Sequence, residues 1–535
     1  MQRITSSADV NAQDFQLNEI HNRQLAAELK QRQCTTRFSR PERDLDRLRQ
    51  QNKLFVRDRI ESLLDPDTPF LELSTLAANK AYQGEVPGAA QVVGIGIVAG
   101  REVIIHADDA SVKGGAWYPL SIKKIVRALD IAIENRLPVV HLCDCAGGFL
   151  PLQAEFFADR YHAGRILRNQ SILSRMGVPQ VAIAMGHCSA GGAYVPALSD
   201  YSIMVDGPGA IFLGGPPVVK AATGEIVSAE ELGGASMHTS VSGTSDYLAS
   251  SEMHAIAIAR DIVARLHRPA KTLIDQAPPE PPAYDASELY GLIPRDPRVQ
   301  FEMREIIARL VDGSRFHEYQ QRYGDSLVCG FARLHGYQIG ILANNGVLVN
   351  DSALKGSHFI QLCDRNRTPL LFLQNTTGFM VGREYERRGL TKDGAKLIMA
   401  VSGASVPKFT VICNASHGAG TYAMAGRAFD PRFVFTWPQS QISAMGAEQA
   451  AGVLTHVKAR QLAREGGRLS ERELAAIREP ILQEYRERSS AYYATSEIWD
   501  DGILDPVDTR TALAIALSAS LNAPIEAPQY GVFRM

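Results

Sequence analysis

Val178-Pro179-Gln-Val-Ala-Ile-Ala-Met185 is a short apolar run that leads into Cys188-Ser-Ala190-Gly191-Gly192-Ala-Tyr194. An apolar run of this length, opened by proline and closed by glycines, reads as a buried strand that ends in a tight turn. The residues after the turn, 193–200, read as a helix. A strand, a glycine turn and a helix N-terminus in succession leave backbone N–H groups unpaired and aimed outward. Such donors can hold an oxyanion. The pattern occurs twice. Val406-Pro407-Lys-Phe-Thr-Val-Ile-Cys413 leads into His417-Gly418-Ala419-Gly420-Thr-Tyr422, and 422–427 reads as the second helix.

Working outward, the flanks repeat as well. Leu137-Pro138-Val-Val-His-Leu-Cys-Asp144 runs into Cys145-Ala-Gly-Gly148, and Thr368-Pro369-Leu-Leu-Phe-Leu-Gln-Asn375 runs into Thr376-Thr-Gly378-Phe379. Upstream of each lies an apolar hairpin, from Val93 and from Val328. Each hairpin is followed by a lysine and a glycine, Lys113-Gly114 and Lys355-Gly356, and then by a helical stretch, 119–135 and 357–366. So many ordered matches describe two copies of one domain. Alternating strands and helices with buried strands make each copy α/β. Gln276-Ala-Pro-Pro-Glu-Pro-Pro-Ala283 is a stiff linker between them. The expected division is a helical, exposed extension over 1–51, a first domain over 52–280 and a second over 285–535. Ser470–Arg488 reads as a charged amphipathic helix and Thr509–Leu521 as an apolar-periodic one.

The chain has 535 residues, enough for two or three domains, with 45% apolar and 21% charged residues. A net charge of −2 gives no global attraction to nucleic acid or acidic membranes. No apolar run reaches the roughly 18 residues that a membrane span needs. The first thirty residues include Asp9, Asp14, Glu19 and Glu28 and lack the apolar core of a secretory signal, so the cytoplasm is the expected location. Seven cysteines in irregular spacing suit a reducing compartment. Cys143 and Cys145 share one face of a strand and read as buried small residues.

Several imitations fail. Gly94-Ile-Gly96 sits in a strand with the wrong spacing for a dinucleotide fingerprint. Ser189 stands one place too late for a hydrolase elbow. The histidines lack ligand spacing, so no metal is expected, and no nucleotide-binding loop is present. Lys113, Lys355 and Arg383 lie beside glycines. They are either ordinary surface charge or contacts for the phosphates of an anionic cofactor such as coenzyme A.

The motifs Asp109-Ala-Ser-Val-Lys113-Gly-Gly115, Ala190-Gly-Gly-Ala-Tyr-Val-Pro-Ala-Leu-Ser-Asp200, Gly215-Pro-Pro-Val-Val-Lys220, Asn375-Thr-Thr-Gly-Phe-Met-Val-Gly382 and Met445-Gly-Ala-Glu-Gln-Ala-Ala-Gly452 carry a family resemblance. From about Asn52 to Pro524 the chain resembles the carboxyltransferase (β) subunits of biotin-dependent acyl-CoA carboxylases. It is most similar to those of methylcrotonyl-CoA and geranyl-CoA carboxylases. The resemblance implies two tandem crotonase-like (ClpP-like) β-β-α superhelix domains, the first for acyl-CoA and the second for biotin, in a homohexamer. It implies a biotin carboxylase/biotin carrier α subunit as partner, which uses ATP and bicarbonate. The missing Met-Lys-Met biotinylation signature and nucleotide loop fit that division of labour.

By position, the resemblance assigns Gly191 and Gly192 to the thioester oxygen, and Ala419 and Gly420 to the ureido oxygen of biotin. It assigns cofactor contacts to Lys113, Lys355, Gly356, Gly378 and Phe379. It places Phe149, Leu152 and Ala163 in the acyl pocket, where a small residue at 163 suits a long β-methyl enoyl-CoA such as geranyl-CoA. 3-Methylcrotonyl-CoA is the alternative. The competing functions are a lone hydratase or isomerase, a decarboxylase that serves a membrane ion pump, and a non-enzymatic scaffold. Duplication disfavours the first, and the glycine turns leave the last unexplained.

Overall fold

The computed structural model describes residues 1–464 and 470–535. In chain order the strands are β1 (Gln2–Arg3), β2 (Leu71–Leu73), β3 (Gln91–Val98), β4 (Arg101–Asp108), β5 (Val139–Cys145), β6 (Gln180–Ser189), β7 (Tyr201–Val205), β8 (Ala210–Phe212) and β9 (Tyr247–Ala249). They continue as β10 (Arg315–Tyr319), β11 (Leu327–Leu334), β12 (Tyr337–Asn344), β13 (Leu370–Thr376), β14 (Lys408–His417), β15 (Phe433–Thr436) and β16 (Gln441–Ser443). They form two eight-stranded sheets. One runs β2-β3-β4-β5-β6-β7-β9 with β8 beside the end of β6. The other runs β1-β10-β11-β12-β13-β14-β15 with β16 beside the end of β14.

In each sheet the strands up to and including the hairpin β3–β4 or β11–β12 pair antiparallel, and those beyond it pair in parallel. Apart from the terminal β1, the main strands follow chain order, so every crossover carries the chain one strand further in the same direction. Helices Pro119–Asn135 and Gly164–Arg175 make the crossovers of the first sheet. Asn350–Arg365 and Leu390–Gly403 make those of the second. Strands covered on both faces have no polar side to show, which is why β5, β6, β13 and β14 read as continuous apolar runs. One buried apolar cluster draws on both sheets, from Trp117, Ile122 and Leu173 to Val328, Phe409 and Leu513. Asp501, fully buried, ties the halves together through Arg127 Nε (2.8 Å), Arg427 Nη1 (2.9 Å) and the N–H of Val434 (2.9 Å).

The copies share matched hydrogen bonds, and the match corrects one equivalence drawn from sequence. The N–H of Tyr118 donates to Ser121 Oγ (2.9 Å), and that of Val349 to Ser352 Oγ (2.8 Å). Both bonds fix the first turn of a crossover helix, so Lys124, not Lys113, is the counterpart of Lys355. The second helix begins at Asn350 rather than 357, because Ser352 supplies a cap that a reading keyed to Lys355-Gly356 overlooks. Both equivalent lysines are buried. Lys124 Nζ donates to the carbonyls of Ser74, Gly88 and Gln91 at 2.8–3.1 Å, whereas Lys355 Nζ has no hydrogen-bond partner among the described residues.

Two further expectations need revising. The second glycine turn is already helical over Gly418–Ala423, and the first is a tight turn over Ala190–Ala193 that opens helix Tyr194–Leu198. The N-terminal residues do form two helices, Gln13–Phe38 and Glu42–Gln50, but they are not simply exposed. Strand β1 pairs with β10 of the second sheet, and Asn22 Nδ2 donates to the carbonyls of Tyr290 (2.8 Å) and Ile293 (2.7 Å). Polar composition hid this anchoring, because much of it runs through polar side chains, such as Lys30 to Asp505 and Arg40 to Asp109, that read as solvated. Among the described residues no helix is long and apolar enough to cross a membrane.

Candidate active site

The two glycine turns owe their position to a matched irregularity in the sheets. β5 and β6 stay in register to Cys143–Ala184 and resume two residues out of step at Cys145–Cys188. β13 and β14 do the same between Gln374–Ile412 and Thr376–Ser416. An insertion of this kind bends the strand and re-aims the residues after it. Beyond it, Gly147 (φ +96°) and Gly378 (φ +111°) turn the shorter strand away, and Ala190 (φ +51°) and Gly418 (φ +59°) turn the longer one. The next two residues are Gly191 and Gly192 in one copy and Ala419 and Gly420 in the other. Among the described residues none of their four N–H groups is taken by another backbone carbonyl, as the opening of a helical turn requires. Each copy therefore presents a pocket of free donors between a strand-end turn and a helix start.

The floors of the two pockets differ in charge. Under the first, Asp108 accepts from Trp117 Nε1 (2.9 Å), Gln91 Nε2 (2.9 Å) and the N–H of Asp144 (3.0 Å). Burial pushes its carboxyl up to about 6. Because Gln91 Nε2 donates to Asp108, its Oε1 is left to accept from His106 Nε2 (2.9 Å), and His106 Nδ1 then accepts from His141 Nδ1 (3.0 Å). Burial drives the imidazole of His106 down to about 4 and that of His141 well below its ordinary value, which keeps both neutral near pH 7. Asp144 pairs with Lys53 Nζ (2.9 Å) and Arg59 Nη2 (3.1 Å). Under the second pocket the corresponding residues are amides: the N–H of Asn375 reaches Asn344 Oδ1 (3.4 Å), and Asn414 Nδ2 donates to Asn375 Oδ1 (3.1 Å). Gly186, the counterpart of Asn414, leaves the room that the Asp144–Lys53 pair occupies: an added Cβ would sit 1.9 Å from Asp144 Oδ1.

The other sequence-assigned residues distribute unevenly. Phe149 follows the first strand-end turn and stacks on Tyr118 at 4.4 Å between ring centroids, with Tyr82 beyond at 4.9 Å. Leu152 packs beside them. Ala163 is held by its N–H to the carbonyl of Phe156 (2.8 Å), whose ring lies on Gly148, 2.8 Å from where a Cβ would stand. Trp117 stands 3.9 Å from the Cβ position of Gly191, Phe156 lies on Gly148 and Tyr118 on Phe149, so all three border the first turn, and sequence reasoning missed them. The aromatic spacing around 117–118 and 156 was the only available signal.

Lys113 is exposed, paired with Glu85, and lines a concavity of about 600 Å³ with Arg40, Arg43 and Arg47. Gly114 on the same loop accepts from the N–H of Ala146 at the first turn (3.2 Å). Lys355 and Gly356 sit inside a helix. Gly356 is there for close packing, since a Cβ would stand 2.8 Å from Leu327 Cδ2. A buried ammonium and a packed glycine do not present themselves to a phosphate, so the structure separates Lys355 and Gly356 from Lys113. Gly378 and Phe379 continue the second strand-end turn, and Phe379 bridges to Leu348 as Gly148 does to Trp117. Among the described residues no three His, Cys, Asp or Glu side chains converge as a metal site.

Comparison with known proteins fits this duplicated geometry to a family. The model of the carboxyl transferase domain matches residues 47–532. The chain belongs to that family. It lies in the branch of methylcrotonyl-CoA and geranyl-CoA carboxylase β subunits and is the carboxyltransferase component of a biotin-dependent acyl-CoA carboxylase. It is 50% identical to the biotin-dependent 3-methylcrotonyl-coenzyme A carboxylase beta1 subunit of Mycobacterium tuberculosis, over 96% of this chain and 97% of that one. It is 48% identical to the mitochondrial methylcrotonoyl-CoA carboxylase beta chain of Arabidopsis thaliana, over 99% and 92%. Among solved structures it is similar to the geranyl-CoA carboxylase beta subunit of P. aeruginosa, with a TM-score of 0.89, 40% identity and 99% of each chain covered. Two α/β sheets in tandem are the carboxyltransferase, crotonase-like fold.

Proposed function

We propose that the chain moves the carboxyl group of carboxybiotin to the γ-carbon of a β-methyl enoyl-CoA, with 3-methylcrotonyl-CoA as the acyl group that the relatives' names favour over the longer one. The observation that carries this reading is the matched pair of free-donor pockets. The transfer needs negative charge stabilised twice, once on the thioester oxygen and once on the ureido oxygen, and interactions that strengthen as charge develops are the ones that accelerate it. The N–H groups of Gly191 and Gly192 receive the thioester oxygen, and those of Ala419 and Gly420 the ureido oxygen. The groups below support the assignment for the second pocket: its amides put no buried carboxylate beneath the oxygen on which charge develops.

Biotin, brought by an α subunit that also performs the ATP- and bicarbonate-dependent step, supplies the carboxyl group and the ureido nitrogen. This chain's residues bind and orient. Trp117, Phe156, Leu152 and Ala163 enclose the acyl chain and exclude water, and Lys113 with its neighbouring arginines faces the phosphates of coenzyme A. The relatives' designations as beta subunit and beta chain support the α partner, and the family resemblance supports a homohexameric core. The test is to purify the chain with its biotinylated partner and assay a panel of acyl-CoAs with ATP and bicarbonate. Carboxylation of 3-methylcrotonyl-CoA is expected. Failure to carboxylate any branched enoyl-CoA refutes the reading.

One observation favours a second reading. At 163 the wall carries only a methyl group, and 149 and 152 are apolar. The space of a larger side chain there would take a longer acyl group such as geranyl, each extra methylene contributing about 0.8 kcal/mol on burial.

A further inference from the structure

Each donor pocket is bounded by two separate segments, the strand-end turn and the helix start, and one buried side chain hydrogen-bonds the first and fills the space beside the glycine of the second. In the first copy it is Cys145. Its Sγ accepts from the N–H of Gly147 (3.2 Å), and it stands 3.1 Å from the Cβ position of Gly192. In the second copy it is Thr376. Its Oγ1 accepts from the N–H of Gly378 (3.1 Å), and it stands 2.9 Å from the Cβ position of Gly420. Both side chains are buried, at 1% and 0% exposure, and each is the residue at which strand pairing resumes after the two-residue irregularity. Their surroundings have diverged: Cys143 and Cys188 neighbour the first, Gln374 and Ser416 the second. A thiol and a hydroxyl in unlike surroundings make the same two contacts.

We propose that Cys145 and Thr376 are matched positioning residues, each a spacer that sets the aperture of one donor pocket, Cys145 for the acyl-CoA and Thr376 for biotin. The side chain pins the strand-end turn through its N–H and bears on the glycine of the helix start, so its size and acceptor strength fix how far apart the donors stand. The thiol's longer bond and larger radius hold the first turn by a softer acceptor than the hydroxyl offers the second. The assignment of a ligand to each pocket rests on the proposed function; the spacing role does not.

The test uses the full chain in the reverse transfer from a carboxylated acyl-CoA to free biotin, where the KM of each substrate can be read separately. Thr376→Val keeps the shape and removes the acceptor. It is expected to raise the KM for biotin at least fivefold with the acyl-CoA KM unchanged within twofold, and Thr376→Ser should restore it. Cys145→Ala is expected to affect the acyl-CoA side alone, with at least a fivefold fall in kcat or rise in its KM, and Cys145→Ser should recover part of the loss. Amide exchange gives a readout without catalysis: Gly147 should lose protection in Cys145→Ala only, and Gly378 in Thr376→Val only. Equal effects on both substrates in proportion to a lowered Tm, no kinetic effect at all, or unchanged exchange at both glycines overturns the proposal. A wild-type chain inactive on every acyl-CoA refutes the proposed function instead, and the exchange measurement still decides the spacing role.

Discussion

Replacing Gly420 by alanine tests the donor pockets at their tightest point. The added carbon would lie 2.9 Å from Gly378 Cα, 2.9 Å from Thr376 Oγ1 and 3.1 Å from Thr376 Cγ2. Non-bonded carbons rest about 3.5–4.0 Å apart, so the strand-end turn and the helix start must separate by roughly half an ångström or more. Gly420 does not lie at positive φ, so the backbone itself accepts alanine and the cost is displacement. Overpacking of this kind costs about 1–3 kcal/mol of stability. Donors that no longer converge cost more in the transition state, about 3 kcal/mol for the loss of one, or roughly a hundredfold in rate. At Gly192 the nearest atoms, Cys145 Sγ and Cβ at 3.1 and 3.3 Å, belong to a side chain rather than backbone. Gly192→Ala is therefore expected to lose only about tenfold, on the order of 1.4 kcal/mol. The assay is the reverse transfer to free biotin at saturating substrates, with Tm measured alongside. Gly420→Ala within threefold of wild type, or a Gly192→Ala loss greater than that of Gly420→Ala, refutes the reasoning.

Ala163→Phe fills the wall beside Phe156; with 3-methylcrotonyl-CoA the rate should hold, while a geranyl-length substrate, if used, should fall tenfold or more, and equal losses on both remove 163 from the pocket. Lys124→Met orphans three carbonyls and should destabilise the chain by about 3 kcal/mol or more, whereas Lys355→Met removes a buried group without a partner and should be neutral or stabilising; urea denaturation of the two variants reads the difference, and equal losses contradict it. Asp501 titrates at about 2, held there chiefly by Arg127 and Arg427 against burial. A carboxyl depressed in the folded state contributes stability that is full above its unfolded value near 4 and is lost as pH falls through about 2. That amounts to roughly 2–3 kcal/mol by linkage. Asp501→Asn should lower stability at pH 7 and flatten its dependence between pH 4 and 2, and a variant that keeps the wild-type slope would show that another group sets it.

The duplication was legible because it is written in features that survive divergence: proline before a buried strand, glycine after it, and the order of both. Helix 119–135 was readable to the residue because Pro119 opens it and its apolar period is strong. Its counterpart was misplaced by seven residues because no proline marks Asn350, and the capping Ser352 lies inside a polar stretch. The same slip aligned Lys355 with Lys113. Burial of Lys355 could not be read from sequence at all, since a lysine amid Ala353 and Gly356 carries the same letters whether it faces solvent or a sheet. The glycine turns were found, yet Cys145 was read as a plain buried residue and Thr376 was not singled out, because the approach of Cys145 to the Gly192 position crosses between strands and depends on a two-residue irregularity that no local pattern announces.

The divergence between the copies says how one fold serves two ligands. Geometry is kept at the turns, where Ala190 and Gly418 share one backbone conformation and the four donors stay free. Chemistry is changed one layer below. The first copy places Asp108, Asp144, Lys53 and Arg59 under its turn, and the second places Asn344, Asn375 and Asn414 there. Buried charges need partners, which Asp108 finds in Trp117, Gln91 and the N–H of Asp144, and Asp144 in Lys53 and Arg59 with the room left at Gly186. The donors thus keep one geometry over two chemistries, paired charges beneath the first turn and neutral amides beneath the second, so what distinguishes the two pockets is the charge under the donors and not the way the backbone presents them.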